Sequence, residues 1–382
     1  MQPHERCECN EQMIEDLNAQ TMHNQSKAQQ SRIMCAQREV QMPKQKPKLI
    51  IIAGPTAVGK SDVAVALAKR IDGEVISADS MQVYRGMDIG SAKITKKEMD
   101  GVLHHLIDVM DPHENYNVVR FQQMAKAAAA DILSRGKIPI LCGGTGFYIQ
   151  AFLYDIDFTE EAPSEGILAM EKALWQEAAR TGGKEALHER LAAVDPASAA
   201  AIPLENAKRV IRALLFYEQH GTTISSHNAE QAMRKTPEHC VYDARFFVLT
   251  DKRSRLYERI DARVDAMMQN GFLEEVRKLK ESGVPRDGTA MQGIGYRELY
   301  TCLQGELSLE EAVALIKKNS RHYAKRQLTW FRREPGVIWI DRSERAEHSV
   351  ETKQHRPEKQ LEIPGQHLET EYIIDELLQY LS

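Results

Sequence analysis

Residues 54–61 run Gly54-Pro55-Thr56-Ala57-Val58-Gly59-Lys60-Ser61, which fits G-x-x-x-x-G-K-S, a phosphate-binding loop. Its flanks fit as well. KLIIIA (48–53) is a short apolar, β-branched run of the kind that forms a buried strand, and SDVAVALAKR (61–70) has helical periodicity. Strand, glycine-rich loop and helix together make an anion cradle. Backbone N–H groups point inward, the helix N-terminus adds positive potential, Lys60 pairs with phosphate oxygens and Ser61 can hold Mg²⁺. A chain opening this way folds as an α/β layer structure and binds a di- or triphosphate.

Further apolar runs extend the pattern. Residues 74–80 (EVISADS) form a second strand ending in an acid, 103–109 (LHHLIDV) a third, and 137–142 (KIPILC) another, which leads into Gly143-Gly144-Thr145-Gly146. Later strands are expected at 246–249 and 337–340. Helices fall between them, at 118–135 and then at 251–270, 273–282 and 308–332, the last opened by the capping box Ser308-Leu309-Glu310-Glu311. Alternating strands and helices imply a parallel sheet with right-handed crossovers. The expected fold is therefore a P-loop NTPase-like parallel sheet flanked by helices, built from residues 48–158 and 244–341. Ligands of such sheets sit at the carboxyl ends of the strands, where the P-loop, Asp79 and the 143–145 loop all fall.

Between 159 and 243 strand signals vanish and Ala, Glu, Lys and Arg dominate, which marks a helical insertion. Its clearest helix is 206–220, closed by Gly221, with Val210, Ile211, Leu214 and Tyr217 on one side and Lys208, Arg209 and Arg212 elsewhere. Residues 1–47 are polar and lack an apolar period, as expected of a disordered extension, and Met42 is a candidate native start. The tail from 342 to 382 is polar up to a terminal helix at 368–381. Net charge is only −5, so any basic surface is local. Six scattered cysteines form no metal pattern and point to a reducing cytosol. No stretch has the length of a membrane span, and a cytoplasmic monomer is expected.

Several residues could do chemistry. Asp79 either holds Mg²⁺ through water or accepts a proton from a nucleophile, with Asp108 competing for the metal role. Thr145 follows two glycines at a strand end, where a hydroxyl can relay a proton or a tight turn can simply close. Arg255, Arg259 and Arg263 share one helix face, as a phosphate clamp or as a solvated, ion-paired row. Lys317, Lys318, Arg321, His322, Lys325, Arg326, Arg332 and Arg333 form the densest basic segment, with Tyr323, Trp330 and Phe331 interleaved. That segment suits a phosphate backbone with stacked bases, or a helix whose aromatics are core.

GPTAVGKS (54–61), ISADSMQVYRGMDIGSAK (76–93), HHLIDV (104–109), ILCGGTGFYIQAFL (140–153), RLYERIDARVDAMMQNGFLEEV (255–276), QGIGYRE (292–298) and RHYAKRQLTWFRR (321–333) stand here in the order of one family. The chain closely resembles bacterial tRNA dimethylallyltransferases, also called tRNA isopentenyltransferases, over about residues 49–340. The resemblance implies transfer of a dimethylallyl group from dimethylallyl diphosphate to N6 of adenosine 37, beside the anticodon of tRNAs reading codons that begin with U. It implies that Asp79 takes the N6 proton and that Thr145 lies near the reacting atoms. Lys60, Ser61 and the loop amides hold the diphosphate with Mg²⁺, and Arg259 grips it from the other side. By the same resemblance Asp79, Ser80, Met81, Gln82, Thr145, Lys208, Arg209, Arg212, Gln292, Tyr296, Arg297, Arg321, Lys325 and Arg326 belong to stretches that contact the tRNA anticodon stem-loop, over which the insertion closes. The chain departs from the pattern at Ile167, where many relatives carry arginine, in its N-terminal extension, and in lacking the zinc finger of eukaryotic relatives. Competing readings are an adenylate-type isopentenyltransferase acting on free nucleotide, a P-loop kinase or NTPase, and a non-catalytic RNA-binding module.

Overall fold

A computed structural model describes residues 46–156, 158, 164–233, 236, 239–343 and 365–381. Expectations for residues 1–45, Met42 included, and for 344–364 lie outside the described residues. Six parallel strands make one sheet in the order β3-β2-β4-β1-β5-β6: β1 (Lys48–Ala53), β2 (Gly73–Ala78), β3 (His104–His105), β4 (Ile138–Gly143), β5 (Asp243–Thr250) and β6 (Val337–Asp341). The central strands are buried on both faces, as their continuous Ile, Val and Leu runs require: Ile51, Ile52, Ile76 and Leu141 have no exposure.

One sheet face is covered by α1 (Lys60–Ile71) and the C-terminal helix. On the other lie α3 (Val118–Ser134), which follows the short α2 (Lys96–Met99), and α4 (Gly146–Leu153). The expected third strand is cut to two residues. Leu106 and Asp108 take positive φ (63° and 57°), which breaks extended pairing, and Leu103 and Val109 stay exposed.

Four of five helices, α5 (Glu165–Ala178), α6 (Gly183–Val194), α7 (Pro196–Ala201) and α8 (Ala207–His220), pack around a small core of their own, formed by residues such as Leu174, Leu187, Leu191, Val210, Ile211 and Leu214. The fifth is α9 (Ile224–Met233). Each such Leu, Ile or Val contributes roughly 1.5–3 kcal/mol when fully buried. Asn206 caps α8 by accepting from Arg209 N at 3.3 Å, and Gly221 ends it in the left-handed region. Ser164 caps α5 through Ile167 N.

The chain returns to the sheet through β5, then forms α10 (Arg253–Gln269), α11 (Phe272–Glu281), α12 (Tyr296–Leu303) and the long α13 (Leu309–Phe331), whose Ser308/Glu311 capping box is formed. After β6, the final helix α14 (Gly365–Gln379) docks on α1 through Ile373, Ile374 and Leu377. No helix among the described residues is long and apolar enough to cross a membrane.

Candidate functional site

Pairing of Ala53 and Ala78 with Gly143 sets the carboxyl ends of β1, β4 and β2 side by side. The P-loop, the Gly144–Thr145 turn and Asp79 are thereby brought to one edge. They border a cavity of ≈ 740 Å³ whose lining includes Thr56, Ala57, Gly59, Lys60, Ser61, Asp79, Ser80, Met81, Gln82, Gly144, Gln292, Arg297 and Arg326. The cavity is polar beside the loop. Farther on it is walled by Ile94, Val264, Met267, Phe272, Ile294 and Ile316.

Gly59 adopts φ 86° at the start of α1, which a side chain would strain. Lys60 folds its ammonium back onto Pro55 O at 2.8 Å, and burial lowers its pKa to about 8. Cys142, also in the lining, has its thiol pushed up to about 12 by burial, so it carries no nucleophilic thiolate near neutral pH.

Asp79 is oriented by the turn that follows it. Met81 N and Gln82 N donate to its Oδ1 at 2.8 and 3.3 Å, while Oδ2 accepts no bond among the described residues. Asp108, its rival, pairs with Lys93 and does not line the cavity. Thr145 Oγ1 is buried and makes no hydrogen bond; the Tyr323 hydroxyl faces Thr145 and Gln327, and Thr145 itself stands just outside the cavity lining, next to Gly144.

The arginine row splits. Arg255 lies 3.6 Å from both Asp251 and Glu369, and Arg259 pairs with buried Asp251, its Nε buried without a partner. Neither lines the cavity. Arg263 does, and it has no ion pair among the described residues. The basic face of α13 splits too. Lys317 bonds Asp265 at 2.7 Å and Arg321 bonds both Asp261 oxygens at 2.6 and 2.7 Å, whereas Lys325 and Arg326 are exposed and Arg326 lies 5.7 Å from the Tyr323 ring centroid. Phe331 is fully buried core, so it is withdrawn from any stacking surface; Trp330 remains partly open beside exposed Phe147. Lys208, Arg209 and Arg212 project from α8 to solvent, away from the cavity lining. Tyr296 is buried and donates to Glu275 at 2.7 Å.

Three residues with structural tasks at the site were not singled out by pattern. Gln327 ties two loops together, accepting from Thr56 N at 2.8 Å and donating to Gly144 O at 2.9 Å. Glu275 accepts from the backbone N–H groups of Asp88, Ile89 and Gly90 at 2.8, 2.8 and 3.1 Å, which fixes the M-D-I-G turn. Gly90 has no room for a side chain there, because a Cβ would meet the Phe272 ring at 2.0 Å. Arg342 donates to Val58 O in the P-loop at 2.7 Å.

Fold and site together define an α/β protein of P-loop type, whose loop opens into a partly apolar cavity. The description IPP transferase fits residues 82–334, and isopentenyl transferase fits residues 47–111. The chain is 52% identical over 296 residues to a tRNA dimethylallyltransferase of Lachnoclostridium phytofermentans, covering 78% of this chain and 92% of that one. It is 48% identical over 307 residues to one from Geobacillus thermodenitrificans, at 80% and 94%. Among solved structures, tRNA isopentenylpyrophosphate transferase from Bacillus halodurans matches at TM-score 0.58 and 45% identity, covering 78% of this chain and 91% of that one. A eukaryotic dimethylallyltransferase acting on tRNA matches at TM-score 0.65 and 29% identity, covering 87% and 84%. The chain belongs to the IPP transferase family.

Proposed function

We propose that the chain is a tRNA dimethylallyltransferase. It transfers the dimethylallyl group of dimethylallyl diphosphate to N6 of the adenosine next to the anticodon, position 37, in tRNAs reading codons that begin with U. The observation that carries this reading is the joining, in one cavity, of a phosphate loop (Lys60, Ser61), an oriented carboxylate with a free oxygen (Asp79) and an apolar wall (Ile94, Val264, Met267). A nucleotide kinase needs the first two features; the apolar wall suits a short hydrocarbon attached to the diphosphate.

Exocyclic N6 is a weak nucleophile, since its lone pair is delocalised into the ring. As the N6–C1 bond forms, the C1–O bond breaks, diphosphate leaves with the electron pair, and the N6 proton passes to Asp79 Oδ2. The loop amides and Lys60 hold the negative charge that accumulates on the diphosphate. Ser61, at the first turn of α1, would hold Mg²⁺ together with diphosphate oxygens. Such an ion is bound through few protein ligands plus phosphates. This fits a chain with no cluster of three or more His, Cys, Asp or Glu side chains suited to a metal among the described residues. When bound, the ion supplies further neutralisation of the leaving group.

Buried, unpartnered Thr145 Oγ1 is assigned to a group of the reactants, and Arg259 to the diphosphate from the side opposite the loop, a role that requires it to exchange Asp251 for the diphosphate. Ser80, Met81, Gln82, Gln292, Arg297 and Arg326, around the cavity, receive the target nucleotide, which must leave its stack to reach Asp79. Lys208, Arg209 and Arg212 on α8, with Lys325 and Arg321 on α13, contact the phosphates of the anticodon stem-loop; Tyr296 supports that surface from below. The protein works as a cytoplasmic monomer.

Incubation with dimethylallyl diphosphate and unmodified tRNA, followed by nucleoside mass analysis, tests the proposal. The expected product is adenosine carrying a dimethylallyl increment. ATP turnover without that increment would establish the kinase reading instead.

A further inference from the structure

The P-loop rests on a buried charge that the reaction does not consume. Arg342, just past β6, is 2% exposed, and its Nη1 donates to Val58 O at 2.7 Å. Its Nη2 and Nε face the Glu369 carboxylate of α14 at 3.2 and 3.4 Å, and Glu369 is 5% exposed. Glu369 also lies 3.6 Å from Arg255, which neighbours Asp251, the partner of Arg259. An alternating chain of charges thus runs from the loop backbone through the C-terminal helix to α10.

Peptide planarity gives this contact a direction. Val58 C=O and Gly59 N–H belong to one trans peptide unit and point oppositely. A guanidinium that fixes the carbonyl on the outer side therefore aims the Gly59 N–H inward, toward the cavity that Gly59 lines. Gly59 also admits Arg342 sterically, since a Cβ there would sit 2.0 Å from Nη1.

We propose that Arg342 and Glu369 are positioning residues for the phosphate loop, so that the C-terminal helix sets the aim of the amide that receives the donor's diphosphate. The inference rests on the diphosphate reading of the loop given above. Neither residue touches the reactants. Their effect passes through the Val58–Gly59 peptide.

The test uses the full chain, titrated with inorganic diphosphate and, separately, with an anticodon stem-loop RNA. Arg342→Met should raise the Kd for diphosphate about tenfold, equivalent to about 1.4 kcal/mol, and leave the Kd for RNA unchanged. Glu369→Gln should raise the former roughly threefold, a smaller change because the Val58 contact persists. The double variant R342M/E369M exchanges a buried ion pair for apolar side chains and should regain thermal stability, yet still bind diphosphate weakly. Wild-type affinity in folded R342M, or in E369Q if R342M does not fold, overturns the proposal. So does recovery of diphosphate affinity together with stability in the double variant. A wild-type chain that binds no diphosphate would instead remove the reading of the loop itself.

Discussion

Glu74, near the start of β2, and Asp79, just past its end, are five residues apart, and their surroundings are opposite. Glu74, 3% exposed, is held by the Arg135 guanidinium, with Nη2 to Oε2 at 2.7 Å, by His105 at 2.9 Å and by Lys137 at 3.5 Å. Arg135 and His105 keep its carboxyl far below the usual range, at about 2. Asp79, past the other end of the strand, receives two backbone N–H groups on one oxygen and no cation in bonding reach among the described residues. At the amino ends of the strands charges are matched to one another. At the carboxyl ends Lys60 and Asp79, with Arg263 of α10 across from them, keep unspent bonding capacity around a cavity, and Thr145 Oγ1 is buried without a partner beside Gly144 of its lining. One strand thus separates an acid that stabilises from an acid left available to react.

Breaking the second acid should give the larger effect. Asp79→Asn keeps an acceptor for Met81 N and Gln82 N but removes the proton acceptor. Turnover should fall about a thousandfold, while the melting temperature moves by no more than about 2 °C. Single-turnover assays with dimethylallyl diphosphate and tRNA, beside a thermal melt, check both halves. Near-normal turnover would show that Asp79 is not the base.

Glu74→Gln should do the reverse. The folded-state pKa is depressed from 4.5 to about 2, so the group's contribution is complete above pH 4.5 and is lost as pH falls toward 2. That contribution is about 3 kcal/mol at neutral pH. Urea melts of E74Q at pH 7 should show a loss of this size, and the gap from wild type should close as pH approaches 2. Activity per folded molecule should stay unchanged.

The contrast between the strand ends was only half legible in the residues. Buried strands announce themselves by uninterrupted apolar runs, and the P-loop by its glycine and lysine spacing, so the sheet and cradle could be laid out beforehand. The 103–109 run misled, because its apolar residues continue past the point where Leu106 turns into the left-handed region. Glu74 looked like an ordinary residue at a strand start; what distinguishes it is Arg135, 61 positions away. The work of Gln327, Glu275 and Arg342 is equally non-local: each bonds backbone groups more than 180 residues distant. Spacing along a chain carries local geometry, and these contacts exist only once α11, α13 and β6 have packed on the sheet. Charge runs left two readings open, because spacing cannot say which cations already have partners. Two of the three arginines on α10, Arg255 and Arg259, are engaged by Asp251, and on α13 Arg321 and Lys317 are engaged by Asp261 and Asp265.

The smallest expected effect sharpens the comparison at Lys60. Burial lowers its pKa to about 8, the mark of a cation held without a matched anion in the protein, whereas Glu74 has its partners built in. A bound diphosphate would supply the missing charge and raise that pKa. Binding should therefore take up a proton above pH 8, and affinity for inorganic diphosphate should fall with rising pH there, by up to about tenfold per pH unit, until the pKa of the complex is reached. Below pH 8 the lysine is charged in both states and contributes no slope. Diphosphate's own ionisation adds a background, which Lys60→Met isolates by losing the lysine's share. Calorimetry at pH 9 in two buffers of different ionisation enthalpy counts the protons directly. An uptake that is the same in wild type and K60M would mean that Lys60 does not meet the diphosphate, and the loop would then owe its anion affinity to backbone amides alone.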